Sequence, residues 1–124
     1  MNDPKDFLEE AESLVKGARA NEVRRRSVIS RAYYGCHHAA QQIAQQKGYV
    51  FDRQAGQGMH KQLNIFLDTA FQDDDNIHDA VRELNRLSQQ RVRADYKLDK
   101  TIFFEDAEDS VKRAQEVMEV FSGD

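Results

Sequence analysis

The stretch Gln90-Arg91-Val92-Arg93-Ala94-Asp95-Tyr96 puts a guanidinium where the chain ought to be apolar. Ahead of it Ile77, Ala80, Val81, Leu84 and Leu87 recur with helical spacing, and the next member of that stripe falls at position 91. An arginine on a core-facing seam must be paired, hydrogen-bonded or kept for a ligand, because a charge buried alone costs roughly several kcal/mol or more. A guanidinium also matches a phosphate bidentately and can stabilise charge that develops on it in a transition state. Asp95 lies one helical turn after Arg91 and is placed to orient it. The alternative is an ion pair that closes a bundle or fixes a dimer.

Other chemistry is poorly supported. His37 and His38 are adjacent, so on a helix they diverge by about 100° and do not share a metal as an i,i+4 pair would. His60 and His78 fall near the starts of other helices, and Cys36 has no second cysteine for a disulfide or a zinc site. Asp73-Asp74-Asp75-Asn76 lacks the turn glycine and distal glutamate of a calcium loop. Gly56-Gln57-Gly58 is followed by no Gly-Lys-Ser/Thr and matches no phosphate loop. Ser30 and Ser88 read as helix-interior packing residues. We therefore expect no metal and no cofactor.

Charge is uneven along the chain. The net value of −4 does not favour nucleic acid, yet Arg19 to Arg31 carries five arginines against Glu22. Arg82 to Lys100 carries six basic residues against Glu83, Asp95 and Asp99. Side by side these segments would make a basic strip, with Arg24, Arg25, Arg26, Arg31 and Arg93 as candidate contacts for RNA or another phosphate. The plainer reading is a set of solvated helix faces with local ion pairs.

These residues must be positioned by helices. With 124 residues, 40% of them hydrophobic and 32% charged, and with one proline, the chain has the size and composition of a single all-α domain over 1–124. Helix one begins at Pro4, buries Phe7, Leu8, Ala11, Leu14, Val15 and Ala18, and ends somewhere between Gly17 and Asn21. Helix two runs from Glu22 to Gln46 with the stripe Ile29, Ala32, Tyr33, Cys36, Ala39 or Ala40, and Ile43. Its small residues, Gly35 among them as a packing notch, make it the central helix. Residues 47–58 form a connection whose aromatics tuck onto the core. Helix three carries Met59, Leu63, Phe66, Leu67 and Ala70, and ends near Phe71. Helix four spans Asn76 to Tyr96 behind an aspartate cap, and helix five runs from Phe104 to Phe121. No stretch is apolar enough to span a membrane, and the acidic start does not read as a secretory signal. A cytoplasmic protein is expected.

Two stretches carry a family resemblance. Ser30-Arg31-Ala32-Tyr33-Tyr34-Gly35-Cys36-His37-His38-Ala39-Ala40, followed by Arg91-Val92-Arg93-Ala94-Asp95-Tyr96, resembles the HEPN superfamily in its small single-domain prokaryotic branch. The resemblance implies an up-and-down bundle of about five helices, a homodimer, and a fourth-helix motif facing a cleft at the dimer interface. It also implies metal-independent ribonuclease activity of toxin–antitoxin or defence type, beside a minimal nucleotidyltransferase partner. The motif of such ribonucleases is an arginine and, beyond four to six intervening residues, a histidine. Arg91 matches; Tyr96, Lys97 and Leu98 stand where the histidine would be looked for. That departure bears on proton transfer, since a histidine with a pKa near 6.5 takes a proton from a 2′-hydroxyl at neutral pH far more readily than a tyrosine near 10. His38, which matches the family's helix-two histidine, or Tyr96 is then the candidate for that step, with Arg91 as phosphate clamp and Asp95 as orienter. The resemblance further suggests Tyr33, Tyr34 and Tyr96 as targets of nucleotidylation by a partner. A non-catalytic binding or assembly module is the rival reading.

Overall fold

The computed structural model describes residues 3–122, which form five α-helices. These are α1 (Pro4–Val15), α2 (Glu22–Gln46), α3 (Met59–Ala70), α4 (Asp75–Tyr96) and α5 (Phe104–Ser122). Three of the starts are fixed by side-chain caps. Asp3 and Asp6 make a reciprocal capping box at α1, whose first residue is Pro4. Asn21 accepts from the Arg24 amide at 3.0 Å, so it opens α2 and does not close α1, which stops at Val15. Asp74 accepts from the Ile77 amide at 3.1 Å and fixes the start of α4.

The all-α bundle is built around α2, which touches each of the other four helices. Antiparallel pairing of α1 with α2 follows from the approach of Gly17 to Arg24 at one end and of Pro4 to Gly35 at the other. Pairing of α4 with α5 is likewise antiparallel, with Glu83 against Arg113, Gln90 against Ser110 and Arg93 against Thr101. In α3 and α4, Asn64 meets Asn85 and Asp68 meets His78. By contrast α3 runs in the same direction as α2, with His60 beside Tyr33 and Phe66 beside Tyr49. The connection 47–58 must therefore travel back along the bundle before α3 can start. Gln62 pins it there, accepting from the Asp52 amide at 3.0 Å and donating to the carbonyls of Asp52 at 2.7 Å and Gln57 at 2.8 Å.

The core follows the helical stripes. Ile77, Ala80, Val81, Leu84 and Leu87 of α4 are buried, as are Ala107, Val111, Ala114, Met118 and Phe121 of α5. In α3 the expected stripe narrows to Leu63 and Leu67; Met59 and Ala70 are exposed because this helix packs only against α2 and α4 and covers one flank. Tyr49 of the connection is buried with its ring centroid 5.1 Å from that of Phe66, as the tucked-in reading anticipates. No described helix is long and apolar enough to cross a membrane. Burial pushes the Cys36 thiol up to about 12, and its S–H donates to the Ala114 carbonyl at 3.3 Å, so it is an inert packing group.

Gly35 is the closest point between α1 and α2. A methyl group there would stand 3.1 Å from the Pro4 carbonyl oxygen, 3.2 Å from Phe7 Cβ and 3.3 Å from the Leu8 amide nitrogen. None of these atoms can swing aside without moving α1. Gly35→Ala gains about 1 kcal/mol of helix propensity and incurs about 1–3 kcal/mol of overpacking. The expected result is a net loss of about 1 kcal/mol in urea unfolding, with a larger loss for Gly35→Val. An alanine variant as stable as the parent would show that the notch is not a constraint.

Candidate anion-binding site

Antiparallel contact of α2 with α4 carries Arg91 into the bundle beside Tyr33 and Tyr34. The residue is 7% exposed, as the interrupted stripe anticipates. Its guanidinium carbon lies 5.4 Å from the ring centroids of both Tyr33 and Tyr34 and 5.6 Å from that of Tyr96. Aromatic faces attract a cation by about 0.5–2 kcal/mol each, more when water is excluded. Asp95 stands 3.7 Å away, at the loose limit of an ion pair, and also accepts from the Ser30 hydroxyl at 3.4 Å. Arg91 Nε is buried without a hydrogen-bond partner. Charge is thus compensated largely by ring faces, which leaves N–H donors uncommitted.

Three histidines reach the two α2 tyrosines that face this guanidinium. His38 packs its ring against Phe7 of α1, 5.0 Å between centroids, and lies 6.1 Å from Tyr34. His37 stacks on Tyr33 at 5.8 Å and meets His60 at 4.6 Å, and its Nδ1 is buried without a partner. Burial, then the neighbouring His60, His38 and Arg91, pulls its pKa down to about 3, so it is neutral across the physiological range. His60 Nδ1 is hydrogen-bonded to the Tyr33 hydroxyl, and burial followed by Arg91 lowers its pKa below the ordinary histidine value. Burial pushes the Tyr33 phenol up to about 12 despite a hydrogen bond to Ser88 and the nearby Arg91.

Of the tyrosines considered for modification, Tyr33 is sealed in the core with its hydroxyl engaged, and is therefore out of reach of a partner enzyme. Tyr34 is half-buried and Tyr96 is 70% exposed. The two basic segments do lie side by side, although not all of their arginines face outward. Arg24 donates to the Gly17 carbonyl at 3.4 Å, Arg25 to the Arg19 carbonyl at 3.2 Å and Arg93 to the Thr101 carbonyl at 3.3 Å. Arg31 is exposed and lines a surface cleft with Asp6, Phe7 and Glu10.

Arg26 departs from the expected strip altogether. It is 8% exposed and donates to the carbonyls of Arg93 at 3.3 Å, Ala94 at 2.8 Å and Lys97 at 3.3 Å, and to that of Lys100. Its guanidinium closes the C-terminal end of α4, where carbonyls have no helical partner. Glu22 supports it at 3.5 Å and accepts from the Ile102 amide at 3.1 Å. This arginine holds the backbone and is not available to a phosphate.

Sequence reasoning passed over His37, His60, Ser30 and Ser88. The i,i+4 spacing from Tyr33 to His37 was a usable signal that both share one face. His60 gave none, because its position depends on the backward path of residues 47–58.

Five helices without a described strand, packed around a buried arginine whose Nε has no partner, define an all-α domain. The HEPN domain family matches residues 4–123, and the chain belongs to that family. No curated protein matches the chain. Membership supports a function connected with nucleotides or RNA, and domains of this family commonly dimerise.

Arg26→Met should therefore act on stability before it acts on any ligand. Loss of a charged donor to several partly buried carbonyls costs roughly 2–4 kcal/mol. Thermal unfolding of Arg26→Met against a double Arg24→Gln, Arg25→Gln variant would show a large loss for the first and a small one for the second. Equal behaviour of the two would return Arg26 to the surface strip.

Proposed function

We propose that this chain binds the phosphate of RNA at Arg91 and is a metal-independent endoribonuclease of toxin–antitoxin or defence type. The observation that carries the reading is a guanidinium, more than nine-tenths buried, whose charge rests on three tyrosine rings while Nε has no partner. A bidentate grip on a phosphate satisfies those donors and offsets the burial of the cation. Asp95, anchored by Ser30, restricts the direction from which Arg91 can present them. In cleavage the RNA 2′-oxygen bonds to phosphorus and the bond to the 5′-oxygen breaks, leaving a 2′,3′-cyclic phosphate. The 2′-hydroxyl proton goes to a neutral base and the 5′-oxygen takes one from solvent. A second copy of the chain, meeting the first along the Arg91 face, would wall the site and bring a second guanidinium to it. Arg24, Arg25, Arg31 and Arg93 would then steer the rest of the strand electrostatically.

A second reading has its own support. Tyr96, Leu98 and Phe103 are large, exposed and clustered around the α4–α5 link. Such a surface suits a protein partner, and a minimal nucleotidyltransferase that docks there would find the Tyr96 hydroxyl open to modification. An adenylyl mass increase on Tyr96 after co-expression with such an enzyme would support it; an unmodified chain would count against it.

For the first reading, total RNA incubated with the purified chain in EDTA should yield cyclic-phosphate ends. Arg91→Ala should abolish cleavage and weaken RNA binding at least about tenfold, some 1.4 kcal/mol, with helicity unchanged. Arg91→Lys should not restore it, since an ammonium lacks the planar fork. Binding or cleavage equal in parent and Arg91→Ala would remove the proposal.

A further inference from the structure

The imidazole missing after Arg91 in α4 is matched by one that arrives from α3. His60 shares its aromatic walls with the guanidinium: its ring centroid is 5.4 Å from Tyr33 and 6.4 Å from Tyr34, and Arg91 lies 5.4 Å from each of the same two rings. Nδ1 of His60 is taken by the Tyr33 hydroxyl. That anchor leaves Nε2 for a second partner. The hydrogen bond can run in either direction: neutral His60 can accept from Tyr33, and cationic His60 can donate to it. The anchor is therefore compatible with both protonation states.

We propose that His60 is a proton-linked anion contact: a phosphodiester bound at Arg91 draws one proton from solvent onto His60, whose Nε2–H then donates to it while Nδ1–H donates to Tyr33. This rests on the Arg91 reading above. The cause is electrostatic. In the unliganded chain the groups facing His60 are Tyr33, Tyr34 and His37 from α2 and Arg91 from α4, with Asp95 behind the guanidinium. Burial and the cation favour neutral imidazole. A bound anion cancels the field of Arg91 and adds attraction for the charged form. Tyr33 and His37 titrate far outside the range between pH 5.5 and 7.5, so they do not take up that proton. Linkage sets the sign: affinity rises as pH falls through the bound-state value and levels off below the free-state value, with a slope of at most about tenfold per pH unit.

The test uses the whole chain and a fluorescent 2′-O-methyl RNA oligonucleotide with hydroxyl ends, which is not cleaved and has no titrating phosphate in this range. Affinity of the parent should rise about tenfold from pH 7.5 to 5.5. His60→Gln should lose the slope, whereas His78→Gln, remote from the site, should keep it. In the parent protein the midpoint of the His60 ring resonance should move to higher pH when the probe saturates, a readout that needs no variant to fold. A flat profile, a slope retained in His60→Gln, or an unmoved His60 midpoint overturns the linkage; if Arg91→Ala still loses binding, the phosphate reading stands without it. No binding by the parent at any pH overturns both.

Discussion

A guanidinium held on aromatic faces is the interaction that the rest of this bundle accommodates. A carboxylate partner neutralises an arginine by occupying its N–H groups, whereas a ring face attracts the cation without accepting those hydrogens conventionally. Arg91 is stabilised mainly in the second way, with Asp95 held at 3.7 Å. The distinction decides what the site can do. A tight bidentate pair would have been a structural clasp, while three rings and a loose carboxylate keep a buried cation in place with donor capacity left over.

That arrangement dictates the two sides of α2. Its site-facing side must supply the adjacent Tyr33 and Tyr34 and, one turn further on, His37, all from a single rigid helix. Its other surfaces must let neighbours approach closely enough to hold the helix still, which is why Ala32, Gly35, Cys36, Ala39 and Ala40 are small and buried. Position along the axis is fixed by Arg26, two turns before Tyr33, which binds the last carbonyls of α4. Because Arg26 and Tyr33 both bear on α4, the end of that helix and the height of Arg91 are set together. A cap lost at one end would loosen the aromatic seat at the other.

The parts legible in the sequence were those governed by local periodicity. The α4 stripe pointed to burial of Arg91, and the α2 and α5 stripes closely matched their buried faces. The resemblance in α2 and α4 led to the family that the chain belongs to. What could not be read depends on tertiary path. Arg24, Arg25 and Arg26 are consecutive and chemically identical, yet a turn of about 100° per residue sends only the last into the core. Likewise His37 and His38 differ by one step of the same rotation, and that step decides which of them meets His60 and which meets Phe7. His60 was the least accessible to reasoning, since nothing local says that α3 begins beside Tyr33.

Neutrality of the imidazoles is the remaining physical consequence. Several histidines packed around a buried arginine cannot all be charged, because each added proton would repel the guanidinium in a poorly hydrated setting. Burial and Arg91 act in the same direction on both His37 and His60. The resting site therefore carries about one positive charge, partly balanced by Asp95.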